Sequence, residues 1–134
     1  MPGLDTQVLF AFNPKDKHHN RAIKLLKNIQ IGNIRDVYVT DAALLEFVVV
    51  MKSKGYTNQQ IKKALLAVQR ILVQYGIQYK KTLNVSVFID ALSFMDQGAS
   101  FFDALLAASV KSIDNMIISS DKTYEKINIT MYEF

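Results

Sequence analysis

An α/β fold with a short, mostly parallel central sheet flanked by helices is predicted by two features of the sequence. Short β-branched and aromatic runs, such as Val37-Tyr38-Val39 and Met116-Ile117-Ile118, alternate with longer stretches whose apolar residues recur at helical spacing. No internal repeat, linker-like stretch or low-complexity segment divides the chain, so residues 1–134 are expected to form one domain with more helix than strand. Hydrophobic residues make up 50% and charged residues 21%, which is enough apolar surface to build a core.

Taken in order, Gly3 to Phe12 reads as an apolar strand interrupted by Asp5, Thr6 and Gln7 and closed by the Asn13-Pro14 turn. His18 to Ile29 has a helical period and ends near Gly32, a C-cap. Val37 to Val39 is a strand. Thr40 or Asp41 then caps a helix that runs to about Lys54, ahead of Gly55. Thr57 and Gln60 form a capping box, and Ile61, Leu65, Val68, Leu72 and Tyr75 follow at four-three-four-three spacing. Gly76 breaks that helix, and Ile77 to Leu83 fits either a short strand or an extended connection.

Ser86 to Asp96 reads as a helix with Val87, Ile89, Ala91, Leu92 and Met95 on its apolar side, stopped by Gln97-Gly98. Ser100 with Asp103 makes a second capping-box pattern, opening a helix to about Ser112. Met116 to Ile118 is a strand, Ser119-Ser120-Asp121 a turn or cap, and Lys122 to Lys126 a helical turn. Asn128 to Thr130 is the last strand.

The absence of cysteine excludes disulfides and thiolate chemistry, so any metal must be held by oxygen or histidine. Sixteen Lys and Arg against twelve Asp and Glu give a net charge of +4, which permits a polyanionic partner such as nucleic acid. No glycine loop suited to cradling phosphate is present, which argues against a nucleotide cofactor. The apolar run Val8 to Phe12 is too short for a secretory segment. No stretch approaches the ~20 apolar residues that span a bilayer, so a cytoplasmic protein without a membrane partner is expected. His18 and His19, among Lys15, Asp16 and Lys17, suit solvated roles better than catalysis. Lys62, Lys63 and Arg70 on the long helix, with Lys80-Lys81 after it, suit a solvated face better than an RNA-contacting patch.

Four acids stand out. Glu46 is the one polar residue in the ten from Ala42 to Met51, where a helix is apolar nearly all round and should be buried. An ionised carboxylate there needs a partner or a cation, the ordinary alternative being a narrow solvent-facing stripe or a salt bridge to a lysine. Asp5 interrupts an apolar stretch and Asp121 follows a short buried strand, so parallel strands would bring both to the carboxyl edge of the sheet. Each has an ordinary alternative role, as a turn residue for Asp5 and an N-cap for Asp121. Asp103 has the strongest ordinary role of the four, because the third position of a capping box with Ser100 asks for an acid, and taken singly it reads as a cap. Gathered into one pocket, the four would repel one another unless a hard cation neutralised them, and oxygen-only ligation suits Mg²⁺ or Mn²⁺.

The segments Leu4-Asp5-Thr6, Leu45-Glu46, Phe102-Asp103-Ala104-Leu105 with Ala107-Ala108, and Ser119-Ser120-Asp121-Lys122 together resemble the PIN domain, most closely the small VapC-like ribonuclease toxins. The likeness covers essentially the whole chain. It implies a PIN-like three-layer fold, Mg²⁺- or Mn²⁺-dependent hydrolysis of RNA, homodimerisation and an antitoxin partner whose tail blocks the site. It also implies roles: Asp5, Asp103 and Asp121 would supply most of the metal ligation, directly or through water, and Glu46 would complete the acidic pocket. Thr6 and Ser119 would orient a ligand from behind or touch phosphate. Where the family usually has Asn after Asp-Thr, this chain has Gln7, one methylene longer with the same amide. That change motivates a second expectation, a catalytically weak or inactive PIN-fold module that binds RNA or protein.

Overall fold

A computed structural model describes residues 1–134. The elements are β1 (Gly3–Leu4), α1 (Thr6–Ala11), α2 (His19–Gln30), β2 (Tyr38–Thr40), α3 (Asp41–Ser53), α4 (Asn58–Gln74), β3 (Gln78–Lys80), α5 (Val85–Asp96), α6 (Phe101–Lys111), β4 (Met116–Ser119), α7 (Thr123–Lys126) and β5 (Thr130–Glu133). The five strands are all parallel, in the order β3-β2-β1-β4-β5. Leu4, Val39, Ile117 and Ile118 of the three inner strands are fully buried. Strands covered on both faces read as continuous apolar runs because helices lie on each side, which accounts for their composition and for the layered α/β fold.

Several expectations are corrected. Val8 to Phe12 belongs to helix α1 and its C-cap, not to a strand, because β1 stops at Leu4 and Asp5 takes the N-cap position with φ −67° and ψ 151°. Burial of Val8, Leu9, Ala11 and Phe12 follows helical spacing, which so short a run disguises. The open segment after Gly76 resolves into edge strand β3 followed by an extended connection. The last strand is Thr130–Glu133, two residues later than expected, since Asn128 takes a positive φ of 65° and ends the preceding turn. In α5 the core face is Val87, Ala91 and Phe94, whereas Ile89 and Leu92 point outward at 59% and 60% exposure. That helix is apolar on two sides, so its pattern alone does not choose which one packs.

The Thr57–Gln60 capping box forms in both directions, with Gln60 N–H donating to Thr57 Oγ1 at 3.2 Å and Thr57 N–H to Gln60 Oε1 at 2.9 Å. Thr40, rather than Asp41, caps α3, its Oγ1 accepting from Ala43 N–H. Asp41 is thereby free to reach across the chain. Its carboxylate accepts from the Thr82 amide at 3.0 Å, the Thr82 hydroxyl at 2.7 Å and the Leu83 amide at 3.2 Å, tying the start of α3 to the connection leaving β3. Burial alone would raise its pKa, but these hydrogen bonds outweigh burial and hold it below the usual value.

Candidate active site

The strand order sets the site. From β1 the chain builds outward through β2 to β3, then returns to place β4 on the other side of β1. The carboxyl ends of β1 and β4 therefore flank the point where the order reverses, which is where open α/β sheets leave a crevice. Leu4 pairs with Ile118, and Asp5 N–H donates to Ile118 O at 3.0 Å, so Asp5 and Ser119 emerge side by side at that edge. Asp121 follows two residues later. Helices α1, α3 and α6 pack together over the same edge and bring in Thr6, Glu46 and Asp103.

All four acids singled out in the sequence line one pocket of about 270 Å³, together with Thr6, Gln7 and Phe10. No cationic side chain lines it, and none of the four makes an ion pair. Glu46 is half-buried rather than fully enclosed: α3 turns Leu45 and Val49 toward solvent at 42% and 41% exposure, so an all-apolar helix is not here a buried one. Asp103 stands in the first turn of α6, but Ser100 at the N-cap makes no side-chain capping bond, so the expected second capping box does not form. Asp121 is not the N-cap of α7, a position taken by Lys122; its Oδ1 instead accepts from Thr123 N–H at 2.9 Å within the turn that leads into that helix.

Unpaired and crowded, Asp5, Glu46 and Asp103 hold protons more tightly than usual. Burial pushes Asp5 up to about 7, and the Glu46 and Asp103 charges add to the rise while the Ser119 hydroxyl opposes it. Burial also raises Glu46, with Asp103 adding to it, and the Thr6 hydroxyl works in the other direction. That hydroxyl lies near Glu46 without hydrogen-bond geometry: Thr6 Oγ1 is buried in the pocket wall with no partner. Burial raises Asp103 in the same way, reinforced by Asp121.

Ser119 and Gln7 organise the rear of the site. Ser119 Oγ donates to Asp5 Oδ2 at 2.6 Å and accepts the Asp121 amide at 2.9 Å, so one hydroxyl fixes both strand-end acids. Gln7 Oε1 accepts from Ser120 N–H at 2.9 Å and Gln7 Nε2 reaches Ser120 Oγ at the same distance. The longer amide thus clamps α1 to the turn after β4. Sequence reasoning missed Tyr124. Fully buried in α7, its hydroxyl lies 3.3 Å from Asp5 Oδ1 and 3.4 Å from Asp103 Oδ1, bridging two of the acids. A tyrosine three residues after Asp121 carries no signal that its hydroxyl points inward.

An oxygen-only donor set with no protein counter-charge and an orphaned buried hydroxyl beside it fits a hard divalent cation. No group of three or more His, Cys, Asp or Glu side chains is arranged to grip an ion directly. Mg²⁺ commonly binds through one or two carboxylates and keeps several waters, each occupying ~30 Å³, and the pocket has room for them.

The sequence matches the family described as PIN domain over residues 4–129. Among solved structures it is similar to the crystal structure of FitAcB from Neisseria gonorrhoeae, with 17% identity and a TM-score of 0.68 over 98% of this chain and 96% of that one. It is also similar to VapBC2 from Rickettsia felis bound to a DNA fragment from their promoter, with 14% identity and a TM-score of 0.65 over 98% and 97% of the two chains. Comparison with curated proteins by sequence finds no match. No helix is long and apolar enough to cross a membrane.

Proposed function

The chain belongs to the PIN domain family, and we propose that it is a metal-dependent endoribonuclease acting as the toxin of a toxin–antitoxin pair. The observation that carries this reading is the pocket in which Asp5, Glu46, Asp103 and Asp121 meet without any protein cation. Asp5, Asp103 and Asp121 would hold Mg²⁺ or Mn²⁺, in part through water, and Glu46 completes the negative wall. Such an ion supplies Lewis acidity for activating water and for the charge that grows on a scissile phosphate.

The chain's own residues set the geometry. Ser119 holds Asp5 and the Asp121 turn in register, Tyr124 spans Asp5 and Asp103, and Gln7 locks the turn against α1. Thr6 keeps its buried hydroxyl in the pocket wall behind Glu46. The likeness to the FitAcB and VapBC2 structures supports a protein antitoxin as partner. The outward apolar side of α5, with Val85, Ile89 and Leu92 exposed, supports a homodimer, since contiguous exposed apolar surface marks association sites.

The decisive experiment is cleavage of a panel of single-stranded RNAs by wild type and Asp103→Asn, in Mn²⁺ and in EDTA. Cleavage by wild type in Mn²⁺ alone, abolished by Asp103→Asn in a folded protein, is the expected result. Salt-sensitive RNA binding with no cleavage under any condition would replace this reading with that of an inactive PIN-fold binding module.

A further inference from the structure

Beside the acidic pocket lies a second cleft of about 550 Å³ between α1, α3 and α4, and the two share the Phe10 side chain as a common wall. Its character is opposite. The floor is apolar, with Phe10 stacked on the buried Phe47 at 4.6 Å between ring centroids, and the exposed ring of Tyr56 stands in its wall. Lys15, Lys54 and Lys63 line it, and none of the three makes an ion pair. The Lys54 ammonium sits 5.5 Å from the Phe10 ring centroid, at the wall shared with the acids. One acid, Asp16, lines the cleft, and its Oδ1 already accepts from His18 N–H at 2.8 Å.

The geometry points to this cleft as the subsite for the nucleotides of a single-stranded RNA next to the scissile phosphate, an assignment that rests on the nuclease reading above. Unpaired cations along an aromatic-lined groove are the combination that binds single strands, with ammonium groups tracking phosphates and ring faces taking bases. The acidic pocket repels a polyanion except where an ion neutralises it, so the flanking phosphates need positive charge immediately outside. Lys54, Lys63 and Lys15 place it there. A protein segment filling the same apolar floor would have to bring acidic residues of its own to meet the three lysines.

The test uses the Asp103→Asn protein, so that RNA is bound but not cut, and reads anisotropy of a short labelled single-stranded RNA in Mn²⁺ as a function of salt. Lys54→Ala with Lys63→Ala is expected to lower the slope of log K against log salt by ~1.4, two contacts at ~0.7 each on a single strand. Tyr56→Ala is expected to weaken binding roughly tenfold while leaving the salt slope unchanged, because it removes stacking and no charge. All three residues are exposed, and circular dichroism checks that the variants fold. Wild type that cleaves RNA, combined with cleft variants whose affinity and salt slope match the parent, overturns the subsite, spares the nuclease and leaves the cleft to a protein partner. Wild type that neither binds nor cleaves RNA overturns both.

Discussion

Replacing Asp5 with Asn should stabilise the ion-free protein at alkaline pH while removing its ability to respond to metal. In the fold the Asp5 carboxyl titrates near pH 7, against 3.8 for an ordinary aspartate. Between those values the folded chain keeps a proton that the unfolded chain has lost, so the folded state binds more protons and stability must fall as pH rises. A separation from 3.8 to about 7, at about 1.4 kcal/mol per pH unit, amounts to roughly 4 kcal/mol of destabilisation by about pH 8. Glu46 and Asp103 are shifted in the same direction and deepen the decline.

The amide of Asn carries no charge to bury, and its oxygen still accepts from Ser119. Urea unfolding in EDTA at about pH 5 and about pH 8 should therefore show wild type losing most of that free energy while Asp5→Asn loses much less. Mn²⁺ at about a hundred times its dissociation constant should restore about 2.7 kcal/mol to wild type at alkaline pH and distinctly less to the variant. Parallel pH profiles for the two proteins in EDTA would refute the view that Asp5 is buried, unpaired and electrostatically strained.

Three further outcomes are expected. Tyr124→Phe removes only the hydroxyl between Asp5 and Asp103, so the melting temperature should change by no more than ~1 kcal/mol implies, while cleavage falls and more Mn²⁺ is needed for half-maximal rate. Equal Mn²⁺ dependence in the two proteins would deny Tyr124 a positioning role. Asp41→Ala breaks the tie to Thr82 and Leu83 and should cost about 1.5–3 kcal/mol in urea unfolding at neutral pH. Because the Asp41 pKa is depressed, that difference should vanish only as pH falls below its ordinary value of 3.8. Gly3→Ala sets a Cβ 2.8 Å from Val110 Cγ1 and 2.9 Å from Tyr38 Cε2 inside the sheet, which should destabilise by about 1–3 kcal/mol in the same assay; an unchanged midpoint would mean that this contact relaxes freely.

The alternation of short β-rich runs with helical periods was enough to specify the α/β class. Thr57 and Gln60 announced the start of α4 because a capping box is a local device whose parts lie within one turn. The acids were visible for a related reason: Glu46 in an apolar stretch and Asp5 and Asp121 at strand ends conflict with their immediate neighbours. Direction and partnership were not legible. An apolar run of five or six residues fits a strand as well as a helix, so Val8 to Phe12 was settled only when Asp5 took the N-cap of α1 and ended β1. Which side of α5 is buried, and how far Glu46 is enclosed, depend on what packs against each helix. The convergence of the carboxylates depends on β4 returning to lie beside β1, a contact across more than a hundred residues. Tyr124 belongs with these, since local sequence tells what a side chain is able to do, while long-range packing decides which other groups it meets.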